Sequence, residues 1–357
     1  MVRVERVALR DFRSYEDAAF AIGPGLTIVH GPNGSGKTNL LEGLYFGCTA
    51  RSFRTANERE LIRFGAAAAR VVVNGEDDDG PHELAVGYAP GEPKRMSSDG
   101  APVERLADAP HRPLVAVFAP DRLELVKGQP ALRRAHLDQL VAALWPARAA
   151  TRRGYREALA QRNALLGRIR AGRAPAAALA PWNATLAAAG VALAADREQA
   201  AARIDAPFAA HAEALGLTGG AAVSYRRRSV ARSAEDLEAE IAAALDADLA
   251  RGHTTRGPHR DDLELARAGR ALRLFGSQGE QRLALLALLL AERDALAAER
   301  DRPPLLLLDD VMSELDATRR ARLSAELRRS GQAVLSATEP QHAPGWDDAA
   351  VALVEIA

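Results

Sequence analysis

Residues 31–38 read Gly31-Pro32-Asn33-Gly34-Ser35-Gly36-Lys37-Thr38 and fit the spacing GxxxxGK[ST], a pattern whose chemistry is phosphate binding. Glycines let backbone N–H groups wrap an anion, and a helix opening at Asn39 adds the partial positive charge of its N-terminus. Lys37 then reaches the β- and γ-phosphates of a nucleoside triphosphate, and the Thr38 hydroxyl is a ligand for Mg²⁺. Lysine is rare in this chain of 47 basic residues, occurring only at Lys37, Lys94 and Lys127. That scarcity singles out each of the three.

The second half of such a site is Leu305-Leu306-Leu307-Leu308-Asp309-Asp310, an apolar strand that ends in carboxylates. Ligands of α/β sheets bind at that edge. Asp309 is expected to hold Mg²⁺, and Asp310 to orient or deprotonate the attacking water. A third segment, Phe275-Gly276-Ser277-Gln278-Gly279-Glu280-Gln281-Arg282, precedes an apolar helix and resembles the signature of ABC-type ATPases. There a serine and a glycine at a helix N-terminus contact the γ-phosphate held by a second subunit, so the resemblance gives Ser277 a catalytic role in trans. Ser313-Glu314-Leu315-Asp316 resembles the D-loop of the same class, with Asp316 as its acid. Four motifs in this order imply a head that hydrolyses ATP when two heads close on each other.

The elements that must position these residues follow from residue patterning. Strand-like runs at Leu26 to Val29, Ala69 to Asn74, Glu83 to Tyr88 and Leu114 to Phe118 fill the first 120 positions, the middle two joined by the acidic turn Gly75 to Gly80. From about Asp121 to Asp248 the chain is rich in Ala, Leu and Arg at helical spacing, with Pro146, Pro175, Pro181 and Pro207 expected to divide it into separate helices. A helix from about Gly279 to Glu299 and strands at Leu305 to Leu308 and Ala333 to Ser336 complete the pattern. The expected fold is α/β: an ABC-type P-loop ATPase head, a mixed sheet with helices, from 1–120 and 249–357, with a helical arm inserted at 121–248.

Several segments together resemble the RecF family, bacterial recombination-repair ATPases related to the SMC and Rad50 heads. They are Asp11-Phe12-Arg13-Ser14-Tyr15, the P-loop continuing to Glu42, Arg51-Ser52-Phe53-Arg54, Leu125 to Gly128 with Arg133 to Asp138, Gly257 to Asp262, and the signature and acidic-strand motifs. The likeness runs over nearly the whole chain. It implies an ATP- and Mg²⁺-dependent protein that dimerises on ATP and binds double-stranded, gapped or single-strand/double-strand junction DNA. It also implies Arg13 at the nucleotide and mediator proteins of the RecO and RecR type as partners in loading recombinase. Two features depart from the wider ABC pattern: Ser336-Ala337-Thr338-Glu339 stands where a switch histidine is usual, and no glutamine follows the Leu114 to Phe118 strand where a Q-loop would lie. Asp121 and Thr338 are the residues left for those sensing roles. Asp310 replaces the usual glutamate with an acid one methylene shorter, which predicts slow hydrolysis.

The 47 basic and 47 acidic residues sum to zero and exclude a histone-like polycation, yet the charge is uneven. Arg122 to Arg173 holds twelve basic residues against three acids, a face suited to phosphate contacts without sequence specificity. Arg133, Arg134, Arg152 and Arg153 there, with Arg51 and Arg54, are the DNA-binding candidates, and Arg226-Arg227-Arg228 forms a further patch. Aromatics at 4% disfavour a single-strand stacking platform. His259, alone after a proline, reads as a loop anchor. One cysteine, Cys48, and the lack of a CxxC or His/Cys cluster point away from a disulfide or a structural zinc. The apolar run Leu283 to Leu290 is too short for a membrane span, so a cytoplasmic protein is expected. The alternatives are the ATPase subunit of an ABC transporter and an SMC-like structural clamp; the first would carry the glutamine and switch histidine missing here. Lys37→Ala is expected to weaken ATP binding by tenfold or more, measured by titration with a fluorescent ATP analogue.

Overall fold

In this computed structural model the described residues are 2–300, 303–329 and 331–357, and the side chains of Pro120, Asp121 and Glu314 lie outside the description. The sensing role expected of Asp121 therefore falls on a side chain outside the described residues. The chain opens with β1 (Arg3–Phe12), β2 (Tyr15–Ala21), β3 (Leu26–His30), α1 (Lys37–Thr49), β4 (Ala69–Asp77) and β5 (Gly80–Tyr88). Then come β6 (Arg95–Ser98), β7 (Ala101–Pro102), β8 (Val115–Phe118), α2 (Glu124–Lys127), α3 (Pro130–Leu144), α4 (Ala149–Arg170) and α5 (Ala180–Leu215). β9 (Ala221–Arg226), α6 (Ala234–Ala243), α7 (Leu245–Arg251), β10 (Asp262–Arg267), β11 (Arg270–Ala271), α8 (Leu272–Phe275) and α9 (Gln278–Arg300) follow. The last elements are β12 (Leu305–Leu308), α10 (Ala317–Arg329), β13 (Ala333–Ala337) and β14 (Ala352–Glu355).

Contacts divide the chain into two compact units, the first made of 1–122, 214–216 and 296–357, the second of 123–213 and 217–295. The first contains a parallel sheet in the order β14-β3-β13-β12-β8 and an antiparallel sheet in the order β2-β1-β4-β5-β6-β7. β3, β12 and β13 are buried along nearly their whole length, which explains their mostly apolar sequences, unbroken in β12 and interrupted by Thr27 in β3 and Ser336 in β13. β4 instead alternates, and β1 does so on either side of a bulge between Val4 and Arg6, so that Val4, Val7, Leu9, Val71 and Val73 turn inward. Both sets meet α1, whose Leu40, Leu41, Leu44 and Phe46 are fully buried in one core with them. A Cβ on Gly47 of α1 would come within 2.4 Å of a Val73 methyl, so the missing side chain sets how closely helix and sheet approach. Gln332 joins the sheets through its amide, accepting from Val4 N at 3.0 Å and donating to Gly23 O at 2.6 Å.

The second unit holds α2 to α8, most of α9 and the small antiparallel sheet β11-β10-β9. Its extent differs from the sequence expectation, which ended the arm at 248. β10 pairs with β9 from Asp262↔Arg226 to Arg267↔Ala221, and this pairing ties 249–295 to the helices. Pro207 is a correction: it lies inside α5, which runs unbroken from Ala180 to Leu215. Ile204 and Phe208 on either side of it are fully buried, so tertiary packing offsets the lost backbone bond. Pro181 opens the helix, where its missing N–H costs nothing. The stretch Ala176–Leu215 is also long and apolar enough to cross a membrane by length and composition, holding an 18-residue window of mean hydropathy 1.4, which the short run Leu283 to Leu290 did not reveal. It carries Asp196, Arg197, Glu198, Arg203 and Asp205, and Arg197 is buried in an ion pair with Asp138 at 2.7 Å.

Polar bonds organise the interior of this unit. Arg162, fully buried, donates to Asp248 and Thr254 at 2.7 Å each and to Asn183 at 2.8 Å. His259 lies 3.0 Å from the carbonyl of Thr254 through Nε2 and 2.7 Å from the Tyr155 hydroxyl through Nδ1. A carbonyl only accepts, so Nε2 carries the proton and Nδ1 accepts from Tyr155. Burial lowers the pKa of His259 below its ordinary 6.5, in keeping with this neutral form. The unfolded chain takes up that proton more readily, so the His259 contribution to stability holds above pH 6.5 and declines as pH falls below it. Tyr155→Phe strands the buried acceptor and is expected to cost about 1–3 kcal/mol in urea unfolding at pH 8.

Candidate nucleotide-binding site

The P-loop leaves β3 at His30 and enters α1 at Lys37. Gly31 has φ 151°, and a Cβ there would lie 2.1 Å from the carbonyl oxygen of Ile356, so the turn beneath β14 admits only glycine. The Gly31 N–H donates to Thr338 O at 3.3 Å, which gives Thr338 a backbone role in holding the loop. Its hydroxyl lies 3.0 Å from His342 Nδ1. Lys37 Nζ donates to Gly31 O and Pro32 O, both at 2.7 Å, and so lies over the concave face of the loop. Ser35 Oγ is shielded from solvent and meets no protein partner among the described residues, a donor left for an anion. Asn33, Gly34, Gly36, Lys37, Thr38 and Asp309 all line a cleft of about 240 Å³.

Asp309 is buried at the end of β12 and accepts from Thr38 Oγ1 at 2.9 Å and from Ser336 Oγ at 2.8 Å. Burial raises its pKa against those two hydroxyl bonds. A cation beside it would reverse that penalty. The hard oxygens of Thr38 and Asp309, side by side at the mouth of the P-loop, fit Mg²⁺. Asp310 has φ 49°, a left-handed conformation unusual for a residue with a side chain, and it is exposed in the cleft. Its N–H donates to Ser336 Oγ at 2.8 Å, so one serine holds both acids. Ser336 was absent from the sequence-derived site. The signal available was a hydroxyl within the otherwise apolar strand Ala333–Ala337.

A second unforeseen residue is Glu42, fully buried on α1. It accepts two bonds from Arg13 at 2.8 Å, one from Ser52 at 2.5 Å and one from Arg54 at 3.2 Å. Arg13, expected at the nucleotide, is committed to this carboxylate and to Glu60 O at 2.7 Å, so it supports α1 from behind the loop. Tyr15 donates to Gly36 O and Asn39 to Ser14 Oγ, which fasten the 11–15 segment to the helix start. Arg54, expected at DNA, lines the nucleotide cleft. Lys94 donates to the carbonyl of Ala50, the C-cap of α1, at 2.6 Å and pairs with Glu58. It therefore places a positive charge at the negative end of the phosphate helix.

The signature opens α9 in the second unit. Ser277 Oγ accepts from Glu280 N at 3.3 Å while Glu280 accepts from Ser277 N at 2.7 Å, a reciprocal capping box. That backbone bond is the main cause of a lowered Glu280 pKa, and Arg267 pairs with the same carboxylate. Gln281 turns inward and donates to Leu272 O at 3.0 Å. Ser277 and Gln278 remain exposed and Gly279 half-buried at the helix N-terminus. Asp316, in the first unit, is exposed and accepts from Arg319 N at 2.9 Å as α10 begins.

The DNA-binding candidates separate. Arg133 is corrected: it is 3% exposed and spends its guanidinium on Asp262 at 2.7 Å and Gly128 O at 2.7 Å. Arg134 donates to Asp261 O at 2.7 Å, and Arg152 pairs with Asp138 at 3.1 Å. Arg226 and Arg227 pair with Glu264 and Glu198. Arg51 and Arg153 are exposed.

A P-loop, a buried acid on a parallel strand one place removed and an antiparallel sheet packed against the phosphate helix define an ABC-type ATPase head. Residues 3–80 match the family described as RecF/RecN/SMC N terminal domain. The DNA replication and repair protein RecF of Anaeromyxobacter sp. (strain Fw109-5) is 41% identical over 344 residues, which cover 93% of this chain and 91% of that one. The same protein of Heliobacterium modesticaldum (strain ATCC 51547 / Ice1) is 36% identical, with 96% and 94% covered. A solved structure of the recombination mediator protein RecF with ATP superposes with a TM-score of 0.84 at 25% identity, covering 95% of this chain and 92% of that one. The Smc head of Pyrococcus furiosus shares the fold, with a TM-score of 0.56 at 17% identity over 95% of this chain and 90% of its own. The chain belongs to the RecF family of DNA replication and repair proteins.

Membership removes the transporter alternative. Ser336→Ala leaves Asp309 and Asp310 without their shared hydroxyl and is expected to raise the Mg²⁺ concentration for half-maximal ATPase activity about tenfold or more. Nucleotide affinity measured without Mg²⁺ should stay within about twofold of the parent, because the P-loop amides are untouched.

Proposed function

We propose that this protein is an ATP-driven switch on DNA, in which ATP binding closes two copies on each other and slow hydrolysis lets them part. The observation that carries this reading is the exposed N-terminus of α9, where Ser277 and Gln278 face outward, held by the capping bonds between Ser277 and Glu280, while Gln281 turns inward. A helix N-terminus presented outward, with Gly279 beside it, suits the γ-phosphate held by another copy. Lys37, the P-loop amides and Ser35 bind and orient the triphosphate, and Arg54 adds positive charge in the same cleft. Mg²⁺ held by Thr38 and Asp309 supplies charge neutralisation at the phosphates. Asp310 acts as the general base or water-orienting group, fixed by Ser336. The shorter side chain of Asp310 supports a slow turnover.

The DNA bound is duplex with gaps or single-strand/double-strand junctions, in recombinational repair and replication-fork maintenance. RecO- and RecR-type mediators are the partners, and the cytoplasm is the setting. The family assignment and the exposed arginines Arg51 and Arg153 support this. Arg133 takes no part.

The test is ATPase activity with no DNA and with duplex, single-stranded and gapped DNA, alongside sedimentation with ATP. Stimulation by DNA together with ATP-dependent dimers is expected. Indifference to every DNA form would sink the DNA-linked switch, and a rate in the range of fast motors would contradict slow hydrolysis. Ser277→Ala is expected to bind ATP as a monomer but to lose ATP-driven dimerisation. Normal dimers from that variant would overturn the assignment in trans.

A further inference from the structure

The nucleotide site leaves one group of chemistry-bearing side chains in the first unit without a task. Asp77 ends β4, His82 lies just across the hairpin turn on β5, and His111 sits in the segment leading to β8. Asp77 Oδ1 is 3.0 Å from His82 Nε2, and its Oδ2 is 3.3 Å from His111 Nδ1. The ligating atoms of all three lie within 4.8 Å of one another. Their side chains are only 3%, 11% and 22% exposed, in that order. The other nitrogen of His82, Nδ1, is 3.1 Å from Asp99 Oδ2 in the β6–β7 turn. Asp99 is itself fixed, accepting from Glu83 N through Oδ1 at 2.7 Å.

We propose that Asp77, His82 and His111 bind a divalent transition ion of the zinc class. Two imidazoles and one carboxylate are the donor set that such ions prefer, whereas Mg²⁺ and Ca²⁺ take oxygen throughout. Donors around a tetrahedral ion at about 2.0–2.1 Å stand roughly 3.3 Å apart; His82 Nε2 and His111 Nδ1 stand 3.0 and 3.3 Å from Asp77, each on a different carboxylate oxygen. Asp99 behind His82 is the outer carboxylate that orients a metal-binding imidazole and fixes its tautomer. The two rings stack at 3.8 Å with an interplanar angle of 10°. A single ion in the plane of both rings therefore needs one of them to turn. His111 is the ring that turns, being the more exposed of the two and outside any strand. With three protein ligands the fourth position goes to water. The ion would join the end of the β4–β5 hairpin, the segment carrying His111 and, through His82 and Asp99, the β6–β7 turn. That segment enters β8, which pairs with β12 and hence with the strand of Asp309, so the ion acts as a clamp on the frame of the nucleotide site.

The experiment uses the full chain, stripped by chelator, without nucleotide and in excess Mg²⁺ so that Thr38 and Asp309 do not compete. Titration with Co²⁺ is expected to give a visible d–d absorption that saturates at one equivalent, is displaced by Zn²⁺, and lacks thiolate bands because the single cysteine, Cys48, is buried. His82→Ala and His111→Ala should each weaken Zn²⁺ binding about 100-fold, and Asp99→Asn about tenfold. Zn²⁺ should raise the melting midpoint of the parent protein but not of His111→Ala, while retained ATP binding shows that the variant is folded. Equal Zn²⁺ affinity in the parent and in folded His111→Ala, or no stoichiometric binding by the parent, would overturn the site.

Discussion

A carboxylate buried at the end of a four-leucine strand is the constraint from which the rest of the nucleotide site follows. Asp309 cannot stay ionised there without donors or a cation, because taking a charge out of water costs several kcal/mol. Thr38 and Ser336 supply the donors. Those two bonds also fix the sheet order, since β13 must lie between β3, which delivers the P-loop, and β12, which delivers the acid. The parallel register Leu308↔Leu335 and Ala337↔His30 brings the C-terminal ends of all three strands to one edge. The P-loop, both acids and the serine that holds them meet there because the strands end together.

The same accounting explains how a chain with many arginines remains neutral. Arg13 on Glu42, Arg133 on Asp262, Arg162 on Asp248 and Arg197 on Asp138 are guanidiniums held largely or wholly from water by a carboxylate. Removing one partner from such a pair strands a buried charge, which costs far more than the intact pair contributes. Much of the arginine count is therefore structural. Exposed charge available for a polyanion is much smaller than the local sum over Arg122 to Arg173 implied.

What could be read in the sequence was what is contiguous in it. The P-loop and the acidic strand each place their own chemistry within a few residues, so spacing identifies them. The signature is as compact but is read through its resemblance to ABC-type ATPases. The hairpin was expected, yet its strands run on through Asp77 and from Gly80. Glu42 with Arg13 spans 29 positions and Asp309 with Thr38 spans 271, and only the latter pair was expected, because both halves belong to motifs. Ser336 sits inside an apolar strand, and the two acids it holds lie 26 and 27 positions upstream. Arg133 looked like a phosphate contact because charge can be read in a sequence and its partner Asp262 cannot. Pro207 was misread for the converse reason: a local rule against proline inside a helix gave way to the packing of Ile204 and Phe208. Asp77, His82 and His111 have no ligand spacing at all, and the fold alone brings them together.

The start of α9 shows why a structural and a functional reading of one motif need not compete. A capping box satisfies donors at a helix start, and here Glu280 takes the N–H of Ser277 while Ser277 takes that of Glu280. The N–H groups of Gln278 and Gly279 belong to the first turn, which has no intrahelical acceptors. An anion arriving there meets two such donors and a serine hydroxyl whose proton is still free to be given, while the box holds the turn rigid. Glu280 opposes that anion by its charge, and Arg267 offsets the opposition by pairing with it. The residues that make the helix start stable thus set the field that an incoming phosphate would meet.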